Sequence, residues 1–595
     1  MRELAYINKY FFKYRYRLGL GIFFVAASNI FGVVSPQVVR HAVDLVTENY
    51  NLYFALDNTA EQALMKKQFV NILLLFGGIY LGLAIIRGGF MFFMRQTIII
   101  MSRLVEFDLK NELYDKYQSL DQAFYKRNNT GDLMSRVAED VGRVRMYVGP
   151  ALMYSINLVV LFTLVIYTMI RVNPMLTLYV LLPLPILSFS IYYVNNIINR
   201  KSEAIQKQLS QLTSVAQEVF SGIRVVKAYV QEKPLGRYFN KESEAYRDKS
   251  IDLVRVEALF HPLMLLLIGF STILTIYIGG RQVIAGEITP GNVAEFVIYV
   301  NMLTWPVASL GWVASIIQRA AASQKRINEF LKAEPMILTE GSQEPDYSED
   351  IEFKNVTFRY PDTGILAIKN LSVTIKGGSK VAILGRTGSG KTTLAELVVR
   401  MYDPDNGQIC IGDTNLREVP LKSLRGNIAY VPQDVFLFSD SIAHNIQFVE
   451  KKRSRERAEE LAAAASIGKE ISQFPKGYDT IVGERGVTLS GGQKQRISIA
   501  RALSRRSPII MLDDCLSAVD AGTEKEILDN LNTWMKDKTA LVITHRIFAM
   551  MDFDKIIVLD QGEIKEQGKH EELLALKGLY FDLYEIQRME ENYAD

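Results

Sequence analysis

Six stretches of the chain lack Asp, Glu, Lys and Arg and are dominated by apolar residues: 18–39, 69–86, 146–170, 172–199, 258–280 and 296–318. Each reaches the roughly 17–25 residues with which an α-helix crosses a hydrocarbon core of about 30 Å. Buried helices of a soluble protein would not supply six such runs within the first 318 residues. The first run is too long for the apolar part of a cleavable signal peptide, and no small-residue cleavage site follows it. The pattern therefore predicts a membrane domain of six spans.

Basic residues in the connections set an orientation. Arg2, Lys9, Lys13, Arg15 and Arg17 precede the first run, the connection 103–145 holds eight Lys/Arg, and 200–257 holds eleven. The connection 40–68 has only Arg40, Lys66 and Lys67, and the remaining two offer Arg171 and Arg281. This asymmetry predicts that the N-terminus, both long connections and everything beyond the sixth run are cytoplasmic, in an integral multi-pass protein of the inner or plasma membrane.

The long connections carry apolar residues at three- and four-residue spacing, as in Leu104-Val105-Glu106-Phe107-Asp108-Leu109 and Val215-Ala216-Gln217-Glu218-Val219-Phe220. That periodicity predicts membrane helices continuing past the bilayer. At about 1.5 Å per residue, twenty extra residues reach roughly 30 Å beyond it.

After the sixth run the pattern changes. A polar segment with Pro335, Gly341 and Pro345 reads as a linker. From Ile351 short β-branched strands such as Lys380-Val381-Ala382-Ile383-Leu384, Ile428-Ala429-Tyr430-Val431 and Ala540-Leu541-Val542-Ile543-Thr544 alternate with helical segments. The predicted organisation is an α-helical six-span membrane domain over 1–331, a linker over 332–350, and an α/β phosphate-loop domain over 351–595.

Composition adds little to this picture. The 595 residues are 49% hydrophobic with mean hydropathy +0.08, averages that conceal the uneven distribution. A net charge of +3 suggests no nucleic-acid partner. Two cysteines, Cys410 and Cys515, are too few for a disulfide framework, and the five histidines lack metal-ligand spacing.

The candidate chemistry lies in the second half. The strand ending at Leu384 opens into Gly385-Arg386-Thr387-Gly388-Ser389-Gly390-Lys391-Thr392, of the form G-x-x-x-x-G-K-[ST], and then a helix, with Thr393 next along the chain also a candidate for the nucleotide. Backbone N–H groups and the helix N-terminus of such a loop face phosphates. Lys391 is expected on the β- and γ-phosphates and the Thr392 hydroxyl on Mg²⁺. Gly388 and Gly390 let the backbone come close to the phosphates. A second apolar strand, Ile509-Ile510-Met511-Leu512, ends in Asp513 and Asp514. Asp513 is expected to orient Mg²⁺, and Asp514 to position or activate attacking water. His545, 32 residues beyond Asp513 at the end of a further strand, is placed to contact the γ-phosphate.

Taken together, these segments resemble those of ABC exporter half-transporters of the multidrug and lipid exporter type, across nearly the whole chain. Tyr360 in Phe358-Arg359-Tyr360-Pro361 is similar to the family's adenine-stacking aromatic. Gln433 in Tyr430-Val431-Pro432-Gln433 resembles the glutamine that senses Mg²⁺ and the γ-phosphate. Leu489-Ser490-Gly491-Gly492-Gln493 resembles the signature loop, Ser517-Ala518-Val519-Asp520 the D-loop, and Val482-Gly483-Glu484-Arg485-Gly486 an exporter-specific loop. Asn129-Thr130-Gly131-Asp132 and Gly222-Ile223-Arg224-Val225 resemble cytoplasmic loops of the membrane half.

The resemblance implies ATP and Mg²⁺ as cofactors, and ATP hydrolysis coupled to alternating access. In this family Ser490 and the signature glycines reach the phosphates of the opposite subunit, so ATP is sandwiched between two heads. The implied partner is a second half-transporter, with coupling helices near 124–129 and 229–234. Membrane lipid and a hydrophobic or amphipathic small molecule, such as a drug or lipid, are the other implied partners.

Asp514 departs from the family pattern, where Glu is expected. The carboxylate is retracted by roughly 1 Å, and a misplacement of that size costs about 10²-fold in rate. The favoured reading is a heterodimer whose other site retains Glu; the alternative is a homodimer in which Asp514 suffices. Phe296, Tyr299, Met302, Trp305 and Trp312 on the sixth run are candidates for an adaptable substrate wall, with packing or lipid contact as the bland alternative. Arg87, Arg95 and Glu295 flank or interrupt runs and are expected in a cavity or an ion pair.

Three other classes compete with export. A soluble ATPase of the DNA-repair kind would not carry the apolar runs, and a peptide exporter with a built-in protease would need room before the first run. An importer or ATP-gated channel on the same scaffold stays open, because the motor is the same in both directions.

Overall fold

Four of the six apolar runs lie in helices of 41 to 61 residues, far longer than a bilayer is thick. The computed structural model describes residues 2–55, 59–337, 341–516, 519, 521–545, 547 and 553–594. It divides into two compact units, Met1–Gln118 with Gly131–Ala333, and Ser119–Thr130 with Glu334–Asp595.

The first unit is helical, with long helices Arg15–Ala55, Thr59–Ser119, Leu152–Val172, Pro183–Ser221, Glu232–Ile284 and Pro290–Leu331. The 61-residue helix Thr59–Ser119 continues without interruption through the apolar run and the segment with three- and four-residue spacing beyond it; at 1.5 Å per residue it spans about 90 Å. Among the described residues, five helical segments are long and apolar enough to cross a membrane. The run at 172–199 is not carried by any one helix: Asn173 caps an eight-residue helix, Pro174–Leu181, and a second helix starts at Pro183. Proline lacks an amide hydrogen and favours a first-turn position, which divides the run there.

Side chains brace the ends of these helices. Lys9 reaches Glu112 at 2.6 Å, joined by the Tyr6 and Tyr10 hydroxyls, while Lys13 meets Asp108 at 2.6 Å. At the start of Pro290–Leu331, Thr289 and Asn292 form a capping box. There Asp44 accepts from the Gly291 amide at 2.8 Å and the Thr289 hydroxyl at 2.9 Å. A Cβ on Gly291 would stand 2.4 Å from the Arg40 carbonyl, so only glycine allows this approach.

Among the described residues the second unit contains two sheets. One is antiparallel, in the order β2-β1-β4-β5, with β1 Ile351–Arg359, β2 Leu366–Ile375, β4 Asn406–Ile411 and β5 Thr414–Asn415. The other has the order β10-β9-β3-β8-β7-β6, with β3 Lys380–Gly385, β6 Ile428–Val431, β7 Ile509–Asp513, β8 Thr539–Ile543, β9 Lys555–Asp560 and β10 Glu563–Gly568. Strands β9, β3, β8, β7 and β6 are parallel, and β10 closes one edge antiparallel to β9. Every residue of β7 and β8 is buried, as the continuous apolar runs of a parallel sheet covered on both faces require. One core joins both sheets to the helix Lys391–Val398; another packs β6, β7 and β8 against the helices between Ile442 and Leu503.

Candidate functional site

Four adjacent parallel strands deliver the sequence motifs to one edge of the larger sheet. β3 ends in Gly385, β8 leads to His545, β7 ends in Asp513, and β6 leads through Pro432 to Gln433. Neighbouring strands lie about 4.8 Å apart, so these residues line the carboxyl-end crevice where parallel α/β sheets take their ligands.

The loop after β3 depends on glycine. Gly388 and Gly390 have φ of +81° and +102°, and a Cβ on Gly390 would stand 2.6 Å from the Ala367 carbonyl. Gly390 is also the N-cap of Lys391–Val398, directing the free amides of that helix into the loop. The Lys391 ammonium donates to the carbonyls of Gly385 at 2.7 Å and Arg386 at 3.0 Å. Burial lowers its pKa despite the nearby Asp514 and Asp513 carboxylates. The Ser389 hydroxyl is buried with no hydrogen-bond partner among the described residues.

Thr392 donates to Asp513 Oδ1 at 3.2 Å, while Asp513 Oδ2 is buried without a hydrogen-bond partner among the described residues. Burial pushes the Asp513 carboxyl up to about 6. An orphaned carboxylate oxygen beside a threonine hydroxyl and next to a phosphate loop fits a hard divalent cation. Asp514 has φ of +48°, its amide donates to the Ile543 carbonyl at 2.9 Å, and Gln433 Nε2 lies 3.4 Å from its Oδ2. His545 is half-buried, and burial followed by the Lys391 charge holds its imidazole below the usual value.

Tyr360 follows β1. Its hydroxyl lies 2.8 Å from Thr393 Oγ1 and donates to Glu396 Oε2 at 2.9 Å, so it is tied to the helix that begins at Lys391. Its ring packs edge-on against Phe358 and Tyr402. Burial, ahead of the Glu396 charge, raises its pKa.

Ser490, Gly491, Gly492 and Gln493 form a separate turn. Ser490 caps the helix Gly491–Leu503, its Oγ accepting the Gln493 amide at 3.3 Å while Gln493 Oε1 accepts the Ser490 amide at 3.0 Å. Gln493 and Arg496 both bond Glu470. The hydrogen bonds described for this turn run within itself and to Glu470, not to the phosphate loop. Ser517, Ala518 and Asp520 lie outside the described residues.

Two family models match the chain, an ABC transporter transmembrane region over residues 18–307 and an ABC transporter domain over 368–517. A probable multidrug resistance ABC transporter ATP-binding/permease protein, YheI of Bacillus subtilis, is 34% identical over 98% of this chain and 97% of its own length. The chain belongs to the ABC transporter family. It is also similar to an ATP-dependent lipid A-core flippase of Syntrophus aciditrophicus, at 35% identity over 86% of this chain and 85% of that protein. A bacterial Atm1-family ABC exporter solved with ATP bound superposes with a TM-score of 0.77 at 25% identity, covering 96% of this chain and 99% of that one. As an ABC transporter it is a multi-pass membrane protein that binds ATP, couples hydrolysis to transport and works as a dimer.

In the helical unit of this ABC transporter the sixth-run candidates separate. Phe296 and Tyr299 are buried among Val33, Leu161, Val165 and Met169 and serve as packing. Trp305 and Trp312 are exposed and lie 5.4 and 5.5 Å from the Tyr154 ring. Met302 and Arg87 line a cavity of 330 Å³ with Ser35, Tyr80, Met91 and Ile298. Arg87 Nε is buried there without a hydrogen-bond partner among the described residues. Glu295 is fully buried and pairs with Arg40 at 3.3 Å, within 2.9 Å of the Tyr299 hydroxyl. Arg95 is exposed.

Sequence reasoning passed over Asp44, Asp108, Glu112, Glu396 and Lys126. Each meets its partners from far along the chain, and no local pattern marks such a contact.

Proposed function

We propose that this chain exports an amphipathic compound, a drug, a lipid or a related hydrophobic molecule, by alternating access driven by closure of two ATP-binding heads. The observation that carries the reading is the row of Gly385, His545, Asp513 and Gln433 at the ends of four neighbouring strands, in a chain whose other half is built from helices of membrane-spanning length. The membrane domain covers 1–331 with six spans, the fourth being the run divided at Pro183. The linker covers 332–350 and the ATP-binding domain 351–595. The N-terminus and the ATP-binding domain are cytoplasmic, in keeping with the basic connections.

In this reading the amides of Gly385, Arg386, Thr387, Gly388, Ser389 and Gly390 wrap the phosphates, with Lys391, Thr392 and Thr393 at the start of the helix. Lys391 exchanges its two loop carbonyls for phosphate oxygens. Tyr360 offers its ring to adenine. Thr392, Asp513 and Gln433 would hold Mg²⁺, which would neutralise charge on the phosphate oxygens. Asp514 holds the attacking water from one side, and His545, neutral at pH 7, donates to the γ-phosphate. Ser490, Gly491, Gly492 and Gln493 complete the site of a second half-transporter. Dimerisation is supported by membership of the ABC transporter family and by the likeness to an Atm1-family exporter.

A heterodimer is favoured, with this chain's own phosphate-loop site slow because Asp514 is one methylene short. Vesicles reconstituted with the purified chain, with and without a candidate partner, test both points. Substrate accumulation should follow ATP supplied on the head side. Brisk ATPase activity of a homodimer, abolished by Asp514→Asn, would sink the heterodimer reading; transport in the opposite direction would sink export.

A further inference from the structure

The short helix Gln122–Arg127 belongs to the long connection of the membrane half, yet residues 119–130 group with the ATP-binding unit. Its placement there is specific. Asp121 caps the helix through the Phe124 amide at 3.0 Å and also accepts the Met336 amide. Ala123 is 3% exposed inside the core that joins both sheets. Together these fix the rotation of the helix and leave Lys126 and Gln122 facing Glu396.

Glu396 stands one turn beyond Thr392 on the helix that follows the phosphate loop, and it is only 8% exposed. A buried carboxylate is costly unless it is paired and hydrogen-bonded. It has the Tyr360 hydroxyl at 2.9 Å, the Gln122 amide at 3.4 Å and the Lys126 ammonium at 3.8 Å. The same ammonium lies 5.0 Å from the centre of the Tyr360 ring and 5.2 Å from that of Tyr402, within cation–π range of both. The two rings meet edge to face at 5.5 Å and 87°.

We infer that Lys126 is a positioning residue for the adenine side of the nucleotide site, acting through Tyr360. The inference rests on the reading of Tyr360 as the adenine-stacking ring. Lys126 neutralises Glu396, and Glu396 in turn holds the Tyr360 hydroxyl against Thr393. The cation also lies against the ring itself. Removing the ammonium leaves Glu396 buried without its cation and Tyr360 without one of the contacts that orient it. The cost falls on the base and not on the triphosphate, whose own contacts are the loop amides and Lys391. A residue from the membrane half thereby helps to set how tightly the head takes its nucleotide.

The test compares ATP with inorganic tripolyphosphate, which keeps the phosphate contacts and lacks the base, by displacement of a fluorescent nucleotide from the full-length chain in nanodiscs. Lys126→Met should lower the ratio of ATP affinity to tripolyphosphate affinity about three- to ten-fold, with tripolyphosphate affinity itself unchanged within about two-fold. Lys126→Arg should restore the ratio, because guanidinium also pairs with carboxylate and ring. Tyr360→Ala should lower the ratio as well, and adding Lys126→Met to it should bring no further loss. If Tyr360→Ala lowers the ratio while Lys126→Met leaves it unchanged, or weakens both ligands alike, the inference on Lys126 is overturned and the Tyr360 reading stands. If Tyr360→Ala leaves the ratio unchanged, both fall.

Discussion

Gln433 and Asp514 face each other across the ends of two neighbouring strands, Nε2 to Oδ2 at 3.4 Å. Asp514 reaches this position with its backbone at φ +48°, a left-handed conformation that Asp tolerates better than most side chains. A longer carboxylate would extend further toward the phosphates but would occupy that backbone less comfortably. Asp514→Glu should therefore raise ATP turnover of the purified chain by about ten-fold or more, while lowering the thermal midpoint by a few degrees. Steady-state ATPase assays and a melting curve on one preparation read both; an unchanged or slower turnover would show that carboxylate reach does not limit this site.

The two left-handed glycines of the phosphate loop make a graded pair. Gly390→Ala meets both a disfavoured φ and the Ala367 carbonyl, whereas Gly388→Ala meets the φ alone, with no atom within 4 Å. Strain of this kind costs about 1–3 kcal/mol per residue. Nucleotide binding should fall about ten-fold or more in Gly390→Ala and less in Gly388→Ala, as measured by titration with a fluorescent nucleotide. The reverse order would contradict the loop geometry.

His545 carries a pH dependence with a definite sign. Its folded pKa lies below the unfolded value because burial, then the Lys391 charge, disfavours the imidazolium. The unfolded chain thus takes up a proton near 6.5 that the folded chain takes up only at lower pH. Its contribution is fully present above 6.5 and is lost as the pH falls from 6.5 through the folded pKa. Melting the full chain in detergent at pH 7.5 and 5.5 should show a drop that is smaller in His545→Gln. An equal drop in both would remove His545 as its source.

Arg87 gives the substrate path an observable. A cation whose Nε is buried without a hydrogen-bond partner among the described residues, in a cavity shared with Ser35, Tyr80, Met91 and Ile298, favours a ligand with a polar or anionic head. Arg87→Leu should reduce substrate-stimulated ATPase activity and vesicle transport by about ten-fold, with basal ATPase within about two-fold of the parent. Unchanged transport and stimulation would dispose of a role for this residue.

The head was legible in the sequence because its chemistry sits at fixed offsets from strand ends. Lys380-Val381-Ala382-Ile383-Leu384 and Ile428-Ala429-Tyr430-Val431 announce β3 and β6; β3 ends in Gly385, and the loop after β6 carries Gln433. The membrane half was legible as apolar runs but not in its interruptions. The apolar count through 172–199 is continuous, while Pro174 and Pro183 divide the backbone. Phe296 and Tyr299 look like a binding wall when they are read along one helix. They prove to be core because helices distant in sequence cover them. The bond between Lys126 and Glu396 joins positions 270 apart, and no periodicity records a partner so far away.

The capping box at Ser490 and Gln493 has a consequence for assembly. Fixing a residue into one backbone conformation costs about 1–2 kcal/mol, and a signature turn that was loose in the lone subunit would add that cost to every encounter with a nucleotide-bearing head. Here the turn is already folded by its own side chains and anchored to Glu470. The amides of Gly491 and Gly492 stand in the first turn as ready donors. On the proposed two-headed arrangement, meeting a second head would then remove little backbone freedom from this turn.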